Sequence, residues 1–201
     1  MNIAVFCSGN GTNLQALINA EKKKKLGAHI ALVVSDNNEA FALNRAAKAG
    51  IKYLVVKREN FNSRSEFEKE IIQQLKKEGI KLIVLAGFMR MVGSDLLSEY
   101  KNKIINIHPA LLPSFKGSHG IKDAFDYGVK MTGVTIHFVD AEMDHGPIIM
   151  QEAVPILSDD SLASLEERIH AVEHKLYYKA VAYIATGKIK IKGRKIFICD
   201  E

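Results

Sequence analysis

Asn106 and His108 stand two residues apart in the segment Ile104-Ile105-Asn106-Ile107-His108-Pro109. The run is β-branched and ends at a proline, the pattern of a buried strand. Residues i and i+2 of a strand project to the same side. An amide and an imidazole therefore emerge together from an apolar element, where polar groups are costly without partners. An amide N–H can donate to a developing oxyanion and an imidazole can carry a proton, which together suit attack on a carbonyl carbon. The competing reading is two satisfied polar groups at a strand end, the commoner state of a lone histidine. Two such groups on one face, at the carboxyl edge where open α/β sheets place ligands, weigh against it.

Three further segments have chemical content. Ser8-Gly9-Asn10-Gly11-Thr12-Asn13 links a first apolar run to an amphipathic stretch. Its glycines permit a tight turn, and a helix starting there offers unpaired N–H groups to an anion, so a phosphate site is expected; the alternative is a capped turn. A dinucleotide site fits less well, because Leu14 stands where the third glycine would fall and Asp36 equally resembles part of a helix cap. The acidic loop Asp140-Ala141-Glu142-Met143-Asp144-His145-Gly146-Pro147 can bring a carboxylate beside His108 and favour the imidazolium. Spacing alone leaves Asp140, Glu142 and Asp144 open, and a solvated hairpin turn is the rival reading. His137 can line the same site or simply pack, and His145 is expected at the surface. Leu85-Ala86-Gly87-Phe88-Met89-Arg90-Met91-Val92 offers small, aromatic and thioether groups suited to a flat heterocycle, or to core packing. No histidine pair has ligand spacing, so no metal is expected.

Alternating strand and helix patterns must position these groups. Apolar runs at 3–7, 30–34, 53–56, 82–86 and 104–107 read as strands. Helical periodicity at 40–49, 67–75 and 96–100 falls between them, with Gly50 and Gly79 closing two helices. This rhythm predicts an α/β fold, a single-domain open, mostly parallel twisted sheet with helices on both faces. Residues 119–127 read as a helix. Residues 132–139 and 148–155 then read as strands joined by too short a loop for a crossover, hence an antiparallel extension. A long helix follows from 162 to about 186, with Ser161 as N-cap and Ser164 or Leu165 opening its apolar stripe. The tail at 189–196 alternates apolar and basic residues around Gly193, a hairpin whose lysines guard its edge and whose role is expected to be structural. Residues 1–110 form the βαβ phosphate-binding part of the domain and 111–201 the remainder.

The 201 residues suffice for a full core, and 47% hydrophobic with 25% charged residues is ordinary for a globular protein. The net charge of +5 suits an anionic metabolite. No aromatic-basic platform accompanies it, so nucleic acid is not an expected partner. Cys7 is expected buried and reduced. No run approaches a bilayer span and no secretory leader is apparent, so the expected location is cytoplasmic and no membrane partner is expected.

Together, Ser8 to Asn13 as quoted, Leu85-Ala86-Gly87-Phe88-Met89-Arg90, Asn106-Ile107-His108-Pro109, Gly133-Val134-Thr135-Ile136-His137-Phe138-Val139 and Asp144-His145-Gly146-Pro147 closely resemble the phosphoribosylglycinamide formyltransferases. The resemblance spans essentially the whole chain. It implies a Rossmann-like formyltransferase fold and 10-formyltetrahydrofolate as co-substrate, with no metal. The implied reaction is direct formyl transfer to glycinamide ribonucleotide in purine synthesis. It implies Asn106, His108 and Asp144 as catalytic residues, and Gly11, Thr12, Asn13 and Glu173 as substrate contacts. Arg64, Met89, Arg90, Met91, Val92, Asn106, Val139 and Asp140 would hold the folate. Departures are Lys116 where members often carry proline, Ala141 in place of a common acid, and a short C-terminal tail. Methionyl-tRNA formyltransferases add a C-terminal domain and formyltetrahydrofolate deformylases an N-terminal one, neither expected here. A non-catalytic nucleotide-binding module is the alternative from another class. Association, as monomer or weak homodimer, is left open.

Overall fold

The computed structural model describes residues 1–199. In chain order its elements are β1 (Asn2–Phe6), α1 (Thr12–Lys22), β2 (His29–Ser35), α2 (Phe41–Lys48), β3 (Tyr53–Val55), a 3-10 turn (Arg58–Asn60), α3 (Arg64–Lys77), β4 (Leu82–Leu85), α4 (Ser94–Glu99) and β5 (Ile104–His108). There follow α5 (Gly120–Tyr127), β6 (Met131–Phe138), β7 (Ile148–Pro155), α6 (Leu162–Ala185), β8 (Ile189–Lys192) and β9 (Lys195–Ile198). One seven-stranded sheet has the order β3-β2-β1-β4-β5-β6-β7. Its first five strands are parallel, while β6 runs antiparallel to β5, and β7 runs antiparallel to β6 as the short 139–147 connection between them requires.

Both faces of the sheet are covered, which explains the near-continuous apolar strands. Along β1 and the residue after it, Ile3, Val5 and Cys7 face the core built with α1, α2 and α6. Ala4 and Phe6 face a second core with α3 and α4. Burial pushes the Cys7 thiol up to about 12, so it is packing rather than a nucleophile. The chain winds from β1 outward to β3, then crosses to β4 on the other side of β1. The loops leaving β1 and β4 thus diverge at a topological switch point, where they are tied by the Ser8 amide on the Gly87 carbonyl at 2.9 Å.

Helix α6 is set over this edge. Ser161 and Ser164 form a reciprocal capping box, so Leu165 and not Ser164 opens the buried stripe. Further along α6, the fully buried Tyr177 hydroxyl donates to the carbonyl of Leu85, the last residue of β4, at 2.6 Å and lies 3.3 Å from that of Ile105, near the start of β5. Burial keeps that phenol protonated, its pKa well above the ordinary value. The tail is the expected hairpin, β8 against β9 around a Gly193-Arg194 turn, with Ile189 and Ile196 packed against the larger core.

Candidate active site

The phosphate-type loop comes first in the chain. Gly11 occupies the N-cap position of α1 with φ 73°, and a Cβ there would lie 2.7 Å from Ala42 Cβ. Both the left-handed backbone and the close approach of α2 demand glycine. No side chain caps α1, so its first-turn amides point outward at the positive end of the helix dipole. Arg45 holds the loop from α2, donating Nε to the Asn10 carbonyl at 2.8 Å and its terminal nitrogen to Asn10 Oδ1 at 2.8 Å. Asn13 Nδ2 donates to Glu173 Oε2 at 3.1 Å, and His170 Nδ1 donates to the same oxygen at 2.9 Å. That bond to Glu173 holds the His170 imidazole above its ordinary pKa. A depression of about 490 Å³ lined by Thr12, Glu166, His170 and His174 opens beside this cluster. Among the described residues Asn13 Oδ1 and His174 Nε2, both buried, find no hydrogen-bond partner.

The catalytic candidates converge from β5, β6 and the 139–147 loop. Because β6 pairs antiparallel with β5, His137 lies opposite Asn106. His137 Nδ1 donates to the Phe138 carbonyl at 2.8 Å, and its Nε2 lies 3.3 Å from Asn106 Nδ2 and 3.6 Å from Asp144 Oδ1. His137 thus flanks both the Asn106 amide and the Asp144 carboxylate, and the amide has no other partner among the described residues. His108 is 3% exposed, with Nε2 donating to the Phe115 carbonyl at 2.7 Å and Nδ1 3.5 Å from Asp144 Oδ2. Both ring nitrogens therefore face oxygens, one at hydrogen-bond distance and one at ion-pair distance. Asp144 adopts φ 49°, a left-handed conformation in which aspartate is over-represented, and its Oδ2 accepts from the Gly117 amide at 2.8 Å. Burial alone would raise the Asp144 pKa. The His137 ring, the Gly117 amide and the charge on His108 outweigh that, and hold the carboxyl below its ordinary 3.8.

On the other flank lies the 86–93 segment. Glu68 on α3, 2% exposed, accepts from the Gly93 amide at 2.5 Å and the Leu96 amide at 3.1 Å, capping α4 from outside. Arg64 donates to Glu68 at 3.2 Å and to the Met91 carbonyl, which pins this segment to α3. Met89, Met91 and Met143 leave an exposed apolar rim, and Val92 and Val139 pack beside the second core. The Arg90 guanidinium turns away to Asp36 at 2.7 Å, and Asp36 also accepts from Ser8 Oγ at 2.5 Å. Asp36 is thereby committed to the loop scaffold. Asp140 pairs with His145 Nδ1 at 2.8 Å and caps the Glu142 amide at 3.0 Å, away from His108.

Glu68, His170 and Arg194 were not singled out from sequence. Glu68 carried a readable signal, since with Ile71, Ile72 and Leu75 it shares the buried face of α3 at helical spacing. Among the described residues no group of three or more potential ligands could hold a metal ion, and no helix is long and apolar enough to cross a membrane.

The family profile described as formyl transferase matches residues 1–181. The phosphoribosylglycinamide formyltransferase of Bacillus subtilis is 44% identical over 174 residues, covering 87% of this chain and 89% of that protein. The trifunctional purine biosynthetic protein adenosine-3 of Gallus gallus is 42% identical over 95% of this chain, which spans only 19% of its length. Glycinamide ribonucleotide transformylase 1 from Symbiobacterium toebii superposes with a TM-score of 0.97 at 40% identity, covering 100% of this chain and 94% of that one.

Proposed function

This chain belongs to the formyl transferase family, and from that premise we propose that it moves the formyl group of 10-formyltetrahydrofolate onto the amino group of glycinamide ribonucleotide, in de novo purine synthesis. The observation that carries the reading is the meeting of Asn106, His108 and Asp144 at the edge of the sheet where the glycine loop opens. In this reading the chain acts as one cytoplasmic formyltransferase domain on two small molecules, without metal, nucleic acid or membrane.

Gly11, Thr12 and Asn13 hold the ribonucleotide phosphate on the α1 amides, and Glu173 contacts the substrate beside them. The folate lies against Met89, Met91, Val92 and Val139, with Arg64 steadying that wall and Asp140 at its far end. The uncharged substrate amine attacks the formyl carbon on N10, giving a tetrahedral oxyanion. The free N–H of Asn106 and the His108 imidazolium donate to that oxygen, while Asp144 keeps the ring charged and oriented. The attacking nitrogen then gives up a proton and N10 gains one, through His108 or a water; the C–N10 bond breaks as the oxyanion collapses, and the product carries the formyl group on its amine. The Phe115 carbonyl now occupies His108 Nε2, so productive binding must draw it aside. Phe115 at φ 52° and Gly117 at φ 99° mark the segment that gives.

An absorbance assay of 10-formyltetrahydrofolate consumption tests the reading. Turnover must depend on glycinamide ribonucleotide, with none on tRNA and little hydrolysis in water alone. Phosphate-ligand binding without any formyl transfer would replace it with a non-catalytic nucleotide-binding module.

A further inference from the structure

The C-terminal hairpin lies beyond residues 1–181 matched by the family profile, yet its turn reaches the loop that carries Asp144. Arg194 donates to the His145 backbone carbonyl at 2.6 Å, and its other terminal nitrogen lies against the His145 ring, 3.1 Å from Nε2 and 3.5 Å from Nδ1. His145 Nδ1 is 2.8 Å from Asp140 Oδ2 and donates to it. The guanidinium thus braces the ring that holds Asp140, and Asp140 uses its other oxygen to cap the Glu142 amide at 3.0 Å.

The loop needs such an anchor. At its end Gly146 is pressed so close to the Phe138 carbonyl that a Cβ would sit 1.8 Å from it. Its middle residues, Ala141, Glu142 and Met143, are exposed. The hairpin is itself fixed to the body by Ile189 and Ile196, so Arg194 is a tether from packed structure to a loop with little core of its own. We infer that Arg194 is a positioning residue, which acts through His145 to hold Asp140 and its loop in the shape that receives the folate. The inference deepens the proposed function and rests on it for the identity of the ligand, not for the tether.

Two measurements on the full chain separate these levels. Amide hydrogen exchange reads the tether without any substrate. R194A should speed exchange across residues 140–147 and leave α1 and β5 unchanged; an unchanged loop would overturn the tether whatever the protein catalyses. Steady-state kinetics reads the ligand. R194A should raise KM for 10-formyltetrahydrofolate by roughly 3- to 10-fold, the scale of one net hydrogen bond, with KM for glycinamide ribonucleotide little changed. Equal rises in both KM values would overturn the folate assignment. H145A leaves the hairpin intact and should reproduce the folate effect, and the R194A/H145A double variant should be no worse than either single one. Additive losses would overturn the relay. A wild-type chain that transfers no formyl group would sink the proposed function, while the exchange result would still decide the tether.

Discussion

The Asn106, His108 and Asp144 side chains each have a partner that aims them. Asn106 is held beside His137, and in the proposed reaction its amide N–H donates to the developing oxyanion. Asn106→Ala should lower kcat by roughly 10²–10³ with both KM values little moved, as expected for a lost oxyanion donor. Near-normal turnover would remove Asn106 from that role. Asp144 is depressed below 3.8, so its ionised form is favoured in the folded state. Such a group contributes stability that is complete above the unfolded pKa and is lost as pH falls through the folded value. Asp144→Asn should therefore flatten the fall in the urea midpoint between pH about 5 and about 3, while kcat drops near neutrality. An unaltered acid limb would show that Asp144 does not carry that dependence.

Among the elements, the short α4 depends most on another for its start. Gly93 provides no cap of its own, and both Glu68 oxygens do that work from α3. Glu68→Ala leaves the Gly93 and Leu96 amides without acceptors in a buried position, and should cost about 2 kcal/mol by urea unfolding. Because the same carboxylate holds Arg64, which reaches the Met91 carbonyl, KM for the folate should rise as well. A loss of stability with no folate effect would confine Glu68 to the scaffold. Helix α6 illustrates the reverse case. Its capping box is local and readable, and its Tyr177 then ties it to the end of β4 and the start of β5 and so sets where Glu173 and His170 stand.

For the whole molecule, the Glu173-His170 cluster and the Asn106-His108 pair lie along one sheet edge, and ionisation of His170 is expected to be felt in global stability. His170 is held above its ordinary 6.5 by Glu173. The contribution of this pair is fully present below the unfolded pKa and is lost as pH rises through the folded one. His170→Ala should thus lower Tm more at pH about 5.5 than at about 8.5, and equal losses at both would contradict the pairing. The strands, helices, glycine turn and Asn106-His108 pair were legible in the chain because periodicity, branching and left-handed glycines act within a few residues. So was the antiparallel extension, since a connection of 139–147 is too short for anything else. Residue patterns could not choose among Asp140, Glu142 and Asp144, foresee that Arg90 turns to Asp36, or bring Arg194 to His145. Each of those contacts joins elements far apart in sequence, and only the packed register of β6 beside β5, with the hairpin docked on the core, determines which groups come within hydrogen-bond reach.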